Sequence, residues 1–263
     1  MRFLSRFADI DEMGFLWYIS RYFIVQDSLS MSRKNCFLAV LNLLLAGSFS
    51  MLAARMFVAM TDGYFFLLWN LFLAVIPYAF AVAFERIARK SVSMTWSAWV
   101  VFFLWLFFFP NAPYIVTDFV HLPWEYMWSR NFIYDFSLIA VFAVTGLLLG
   151  MGALFRVHRV LRRMIGDMWA GFMIVSVIFL SGVGMYLGRF LRWNSWDAFL
   201  NPLEMLRDTV SHYGDPVWFG RAVTLSCFFA IFIGLSYLLF VAAYWLLGLR
   251  ENRARECVGR NDE

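Results

Sequence analysis

Charge is scarce in this chain. Only 15% of its 263 residues are Asp, Glu, Lys or Arg, against 62% hydrophobic and 21% aromatic. That leaves too little polar surface to coat a water-soluble globule. Cysteine is nearly absent: Cys36 and Cys227 fall inside apolar runs and Cys257 in the tail, which excludes a disulfide framework. There is no glycine-rich phosphate loop, no Gly-x-Ser-x-Gly elbow, no His-Glu-x-x-His and no Cys-x-x-Cys pair. Enzymes that announce themselves by local motifs are therefore set aside, and no metal or cofactor is implied. An intramembrane enzyme that gathers single residues from several helices is not. No cleavable leader is expected either, because the first apolar stretch, Phe15 to Val25, is short, interrupted by Arg21 and preceded by Asp9, Asp11 and Glu12. It reads as an aromatic helix lying in the membrane interface.

What the chain does have is long apolar runs. Six of them, at about 36–60, 64–84, 94–110, 131–155, 169–188 and 219–248, approach or exceed the roughly 20 residues that cross a bilayer as helix. The expected class is all-α, a polytopic membrane protein with six transmembrane helices. Its expected parts are an amino-terminal segment (1–35), the transmembrane domain (36–249) and a basic tail (250–263). The net charge of +4 is distributed by topology. Sixteen of the 22 basic residues lie before the first span, after the second and fourth, and in the tail. By the positive-inside rule these loops and both termini are cytoplasmic, which places the chain in the plasma (inner) membrane. The run Arg156 to Arg163 then reads as a headgroup-facing topogenic element rather than a nucleic-acid patch.

Polar residues inside the spans collect near the opposite, outer surface. Arg55, Asn70, Asn111, Tyr114, Asp135, Arg189 and Arg221 all fall at roughly the outer third of their spans, while the inner halves offer little beyond Asn42, Thr95, Ser97 and Ser236. Ionisable groups at such depth are costly and usually face a protein interior or a wet cavity. Snorkelling explains Arg55 or Arg221 taken singly. A shared outward-facing pocket explains the whole set better, with Arg55 or Arg189 expected to neutralise Asp118 or Asp135. No internal repeat relates the two halves, and no polar stripe continues to the inner side, so a transporter is the least supported class. Gly146 and Gly150, like Gly184 and Gly188, form small-xxx-small pairs that let backbones approach closely.

Two segments carry most of the unusual chemistry. The third span ends on Pro110-Asn-Ala-Pro-Tyr-Ile-Val-Thr-Asp-Phe-Val-His-Leu122, where two prolines force a change of helix geometry at the membrane surface. Asp118 and His121 are spaced i, i+3 and share a face of any helical turn. The pair has three uses: a hydrogen bond pinning a re-entrant loop, an orienter and general base, or two members of a metal site that nothing else completes. The last outer loop, Gly188-Arg-Phe-Leu-Arg-Trp-Asn-Ser-Trp-Asp197, adds Trp193 and Trp196, suited to the interfacial belt, and Asn194, Ser195 and Asp197, which anchoring does not require. Asn201-Pro-Leu-Glu204 carries a helix-start signature, predicting a short helix over 203–213 that ends at Gly214. His158 and His212 read as surface residues.

On the strings Phe109-Pro-Asn-Ala-Pro-Tyr114, Thr117-Asp118, His121-Leu122 and Gly188 to Asp197, the chain resembles a family of bacterial membrane proteins called domain of unknown function 1361. The resemblance runs from the second span to the sixth. It implies a small multi-spanning membrane protein and carries no activity, so no residue role comes with it. Two functions stay open. One is a binding protein whose outer pocket takes a lipid headgroup or amphipathic small molecule, with Arg55, Arg189 and Arg221 for an anionic group and Trp124, Trp193 and Trp196 at the rim. The other is a membrane-embedded hydrolase or transferase acting on a lipid-linked substrate, with His121 as base, Asp118 orienting it and Arg189 stabilising negative charge.

Overall fold

A computed structural model of the protein describes residues 31–59, 63–90, 95–122 and 127–259. The interfacial helix expected near Phe15 and the rim residue Trp124 lie outside these. Six rods are long and apolar enough to cross a membrane, and no strand occurs among the described residues. They are α1 (Met31–Ala59), α2 (Phe66–Ala88), α3 (Trp96–Phe108) with its extension, α5 (Arg130–Ile165), α6 (Asp167–Tyr186) with its extension, and α9 (Pro216–Gly259). The protein is an integral membrane protein of the expected all-helical class. Large apolar side chains such as Phe57, Trp96 and Met168 stand exposed on its surface, as lipid-facing positions require.

The sequence explains the helix ends locally. Thr95 caps α3 by accepting from the Ala98 N–H, and Ser129 caps α5 by accepting from that of Phe132. Gly166, at φ +83°, is the single residue separating α5 from α6, a conformation glycine adopts without steric cost. Pro77 lies inside α2 without ending it. Two spans outrun their apolar cores: α5 continues to Ile165 and α9 to Gly259, so the arginines after each core extend a helix rather than open a loop.

The central rod is α5, which packs against α2, α6 and α9. Its most apolar stretch is 72% buried, compared with 28% for α9, so α5 forms the spine and α9 faces lipid over most of its girth. From α1, Ser48 Oγ lies 3.3 Å from Thr145 Oγ1 and the Met51 carbonyl accepts from Tyr134 Oη at 2.6 Å, both on α5.

The end of the bundle where α2 finishes corrects two sequence expectations. Arg156 does not face headgroups: it turns inward to Glu85 (2.5 Å) and the Tyr78 hydroxyl (3.1 Å). Glu85 also accepts from Arg89 at 2.6 Å, Arg162 pairs with Asp167 at 2.6 Å, and Arg163 donates to the Ala88 carbonyl. His158 is not a surface residue either, because its Nδ1 sits 2.6 Å from the hydroxyl of buried Tyr237 on α9. A charge entering low-dielectric surroundings needs a partner, and the helix ends supply one to each other.

Candidate functional site

At the other end of the bundle the Pro110 motif stays helical. The backbone keeps right-handed angles through Phe109, Pro110 and Ile115, giving one turn of α-helix, α4 (Asn111–Tyr114), then a 3₁₀ segment over Ile115–His121. The prolines tighten the rod rather than release it into a loop. The glycine pairs meet this segment instead of another long helix. A Cβ added at Gly146 of α5 would meet the Ile115 side chain at 2.6 Å and the Ala112 carbonyl at 2.9 Å, and one at Gly184 of α6 would meet Pro110 at 2.9 Å. Pro110 to Ile115 therefore lies in the space that these two glycine faces leave free.

The last outer loop closes over the same segment. Beyond α6 the helix widens into a π turn (Leu187–Leu191) and stops at Arg192, whose φ of 61° is left-handed. Such widened turns re-aim side chains and recur at functional sites. Here the turn carries Arg189. Asp197, which opens the short helix α7 (Asp197–Leu200), accepts from the backbone N–H of Asn194 at 2.7 Å and shapes the loop. Asn111 joins the two motifs by donating to Ser195 Oγ at 2.8 Å and to the Phe108 carbonyl at 3.0 Å. Trp193 donates to Asp208 on α8 (Pro202–Gly214), so the interfacial indole also fastens that helix. Pro202 and Gly214 bound α8 as expected, but Asn201 makes no side-chain cap bond.

Between these elements is a cavity of about 750 Å³. Its polar wall includes Asn70, Asn111, Tyr114, Asp118, His121 and Arg189, together with Trp193, Asn194 and Ser195 of the closing loop. Its apolar wall includes Phe66, Trp69, Leu106, Phe107 and Leu180. Trp69, Phe107 and Leu180 keep large exposed areas, so the apolar side of the cavity is open rather than sealed.

Four sequence candidates do not line it. Arg55 and Asp135 form a two-pronged ion pair between α1 and α5 (2.5 and 2.9 Å), a neutralisation expected for this depth, and they act as a helix tie. Tyr64 sits beside this pair; burial first, then the Asp135 carboxylate, pushes its phenol up to about 12. Arg221 lies over the Phe190 ring, and Asp197 is occupied with its loop.

The expected partnership of Asp118 with His121 is not made. Asp118 is buried and its Oδ2 accepts from Asn70 Nδ2 at 2.8 Å, while Oδ1 has no partner. His121 packs on the Phe66 ring, and its Nε2 lies 3.5 Å from Arg189 Nη1. A guanidinium can only donate, so in this contact the imidazole nitrogen is the acceptor. Arg189 has no carboxylate within ion-pair distance among the described residues; its neighbours are His121 and the Tyr114 hydroxyl at 3.4 Å. Sequence reasoning missed Glu85 and Tyr78 at the opposite end altogether. The signal was there in the matching depth of Glu85 and Arg156 on antiparallel spans. No group of three or more potential metal ligands occurs among the described residues.

One family model matches residues 69–247, more than half of the chain, and its description is Protein of unknown function (DUF1361). No curated protein and no solved structure matches.

Proposed function

The chain belongs to the DUF1361 family, which carries no activity to inherit, and from the site itself we propose that it binds an amphipathic molecule with an anionic head. The observation that carries this reading is the state of Arg189. Three partly buried arginines, Arg55, Arg156 and Arg162, each hold a carboxylate, and Arg189, at the cavity wall, holds none among the described residues. An unpaired guanidinium beside apolar walls favours a phosphate or carboxylate, which it binds by charge-assisted hydrogen bonds. His121 and Asn194 line the same cavity as further polar contacts. The apolar wall, with Trp69, Phe107 and Leu180 exposed, suits a hydrocarbon chain.

In this reading the cavity opens to the outer leaflet of the plasma (inner) membrane and both termini are cytoplasmic. The crowding of basic residues at the other end of the bundle supports that orientation. The hydrolase or transferase alternative needs Asp118 to orient His121, and the one hydrogen bond Asp118 accepts comes from Asn70 instead. Binding requires no such rearrangement and is the reading adopted.

The test uses the full chain, delipidated in a neutral detergent and titrated with phosphatidylglycerol, bound lipid being counted by native mass spectrometry. Wild type is expected to retain the lipid, and Arg189→Gln to weaken binding about tenfold or more, the scale of one lost hydrogen bond to a charged group. Equal binding by both proteins would overturn the proposal.

A further inference from the structure

Asp118 holds one of two buried side-chain polar atoms that lack a hydrogen-bond partner among the described residues; the other is Trp105 Nε1. Their surroundings differ. Trp105 is fully buried among α3 neighbours and does not line the cavity, whereas Asp118, only 1% exposed, does. One oxygen of Asp118 is satisfied by Asn70; the other is itself buried and unpartnered, in a residue that lines the cavity together with Arg189 and His121. A carboxylate has about four acceptor positions, and burying one of its oxygens unsatisfied is costly. A donor arriving with the cavity's occupant replaces that cost with a charge-assisted hydrogen bond.

Building on the reading above, we propose that the ligand's headgroup carries a hydrogen-bond donor, a hydroxyl or primary ammonium, beside its anionic group, and that Asp118 Oδ1 accepts it. Arg189 holds the anion and Asp118 reads what is attached to it. The chemical class is a phosphodiester lipid with a polyol or aminoalcohol head. A lipid whose phosphate bears only an alkyl cap leaves Asp118 Oδ1 as it is and is selected against.

Phosphatidylglycerol and phosphatidylmethanol test this directly. With matched acyl chains they have the same charge and differ in headgroup hydroxyls. In the titration described above, wild type is expected to bind phosphatidylglycerol about tenfold more tightly than phosphatidylmethanol. In Asp118→Asn the amide oxygen can keep the Asn70 bond while the NH₂ faces the cavity, a donor in place of an acceptor. The preference should then vanish or invert. Should that variant not fold, wild type alone still decides with a second pair: phosphatidylethanolamine should outcompete phosphatidylcholine, which has lost the N–H donors. Equal binding within both pairs, with every lipid weakened by Arg189→Gln, overturns the donor inference and leaves the anion reading standing. Binding insensitive to Arg189→Gln overturns the anion reading itself.

Discussion

The two ends of the helical bundle spend similar side chains on opposite ends. Where α2 finishes, one carboxylate, Glu85, is shared by Arg89 and Arg156, and Arg162 is matched by Asp167 across the α5–α6 joint. Every charge in that cluster is answered by another part of the same fold. At the cavity end Arg55 and Asp135 follow this rule, but Arg189 and the second oxygen of Asp118 do not. Neutralised groups lock helices against each other, because separating them would strand charges where water is scarce. Groups left unanswered cost stability and retain the capacity to bind. On the binding reading proposed above, the contrast separates the part of the molecule built to hold from the part built to receive.

The largest effect expected from this comparison is at Glu85. Glu85→Gln leaves Arg156 without its counter-charge and should destabilise the protein by about 3–5 kcal/mol, the scale for breaking one partner of a buried ion pair. Denaturation in detergent micelles, followed by near-ultraviolet dichroism, measures it. A loss under 1 kcal/mol would place this cluster with ordinary surface pairs and remove the holding half of the comparison.

Next comes the seat of the Pro110 segment. Gly146→Val places its Cβ where Ile115 and the Ala112 carbonyl already lie, so overpacking should cost about 1–3 kcal/mol and shift the cavity wall. The expected signature is joint: lower stability together with weaker lipid retention. Lower stability with unchanged retention would mean that this wall is not part of the binding surface.

How far such contacts can be read in advance depends on what makes them. The six rods were legible because crossing a bilayer demands long apolar runs, and that demand is local in sequence. Gly146 and Gly184 were legible as places of close approach, but their partner was not, since small residues say only that something comes near. It proved to be the Pro110 segment rather than a neighbouring rod. Arg55 and Asp135, 80 residues apart, meet through packing alone; depth suggested the pairing and left the partner open between Asp118 and Asp135. His158 was misread because it stands in an arginine run, and nothing local marks Tyr237 as its partner. Asp118 was assigned to His121, three residues away, when Asn70 on another helix claimed it.

A smaller effect is expected at the link between the two motifs. Ser195→Ala removes the acceptor that Asn111 uses across the cavity mouth, a single neutral hydrogen bond at a partly buried site. About 1 kcal/mol of stability should be lost. Asn111 keeps its bond to the Phe108 carbonyl, so the helical turn itself should persist. A loss near that of Glu85→Gln would make the closing loop part of the holding framework and blur the division between the ends.

The smallest change in stability should come from the most consequential residue. Arg189→Met removes a guanidinium that makes no direct ion pair among the described residues and keeps an unbranched stem of similar reach to fill its place. Two contributions oppose each other. The guanidinium stands 6.0 Å from the centre of the Tyr114 ring, a cation–π contact worth about 0.5–1 kcal/mol. Against that, the variant no longer desolvates an unpaired cation, and replacing an uncompensated charge with an apolar group of like volume is often neutral or stabilising. The net change should stay within about 1 kcal/mol of wild type in either direction while retention of anionic lipid collapses. Micellar denaturation and the lipid titration, run on one preparation, read both quantities. A destabilisation matching that of Glu85→Gln would make Arg189 another structural cation with a partner inside the fold, and the two ends of the molecule would then obey one rule.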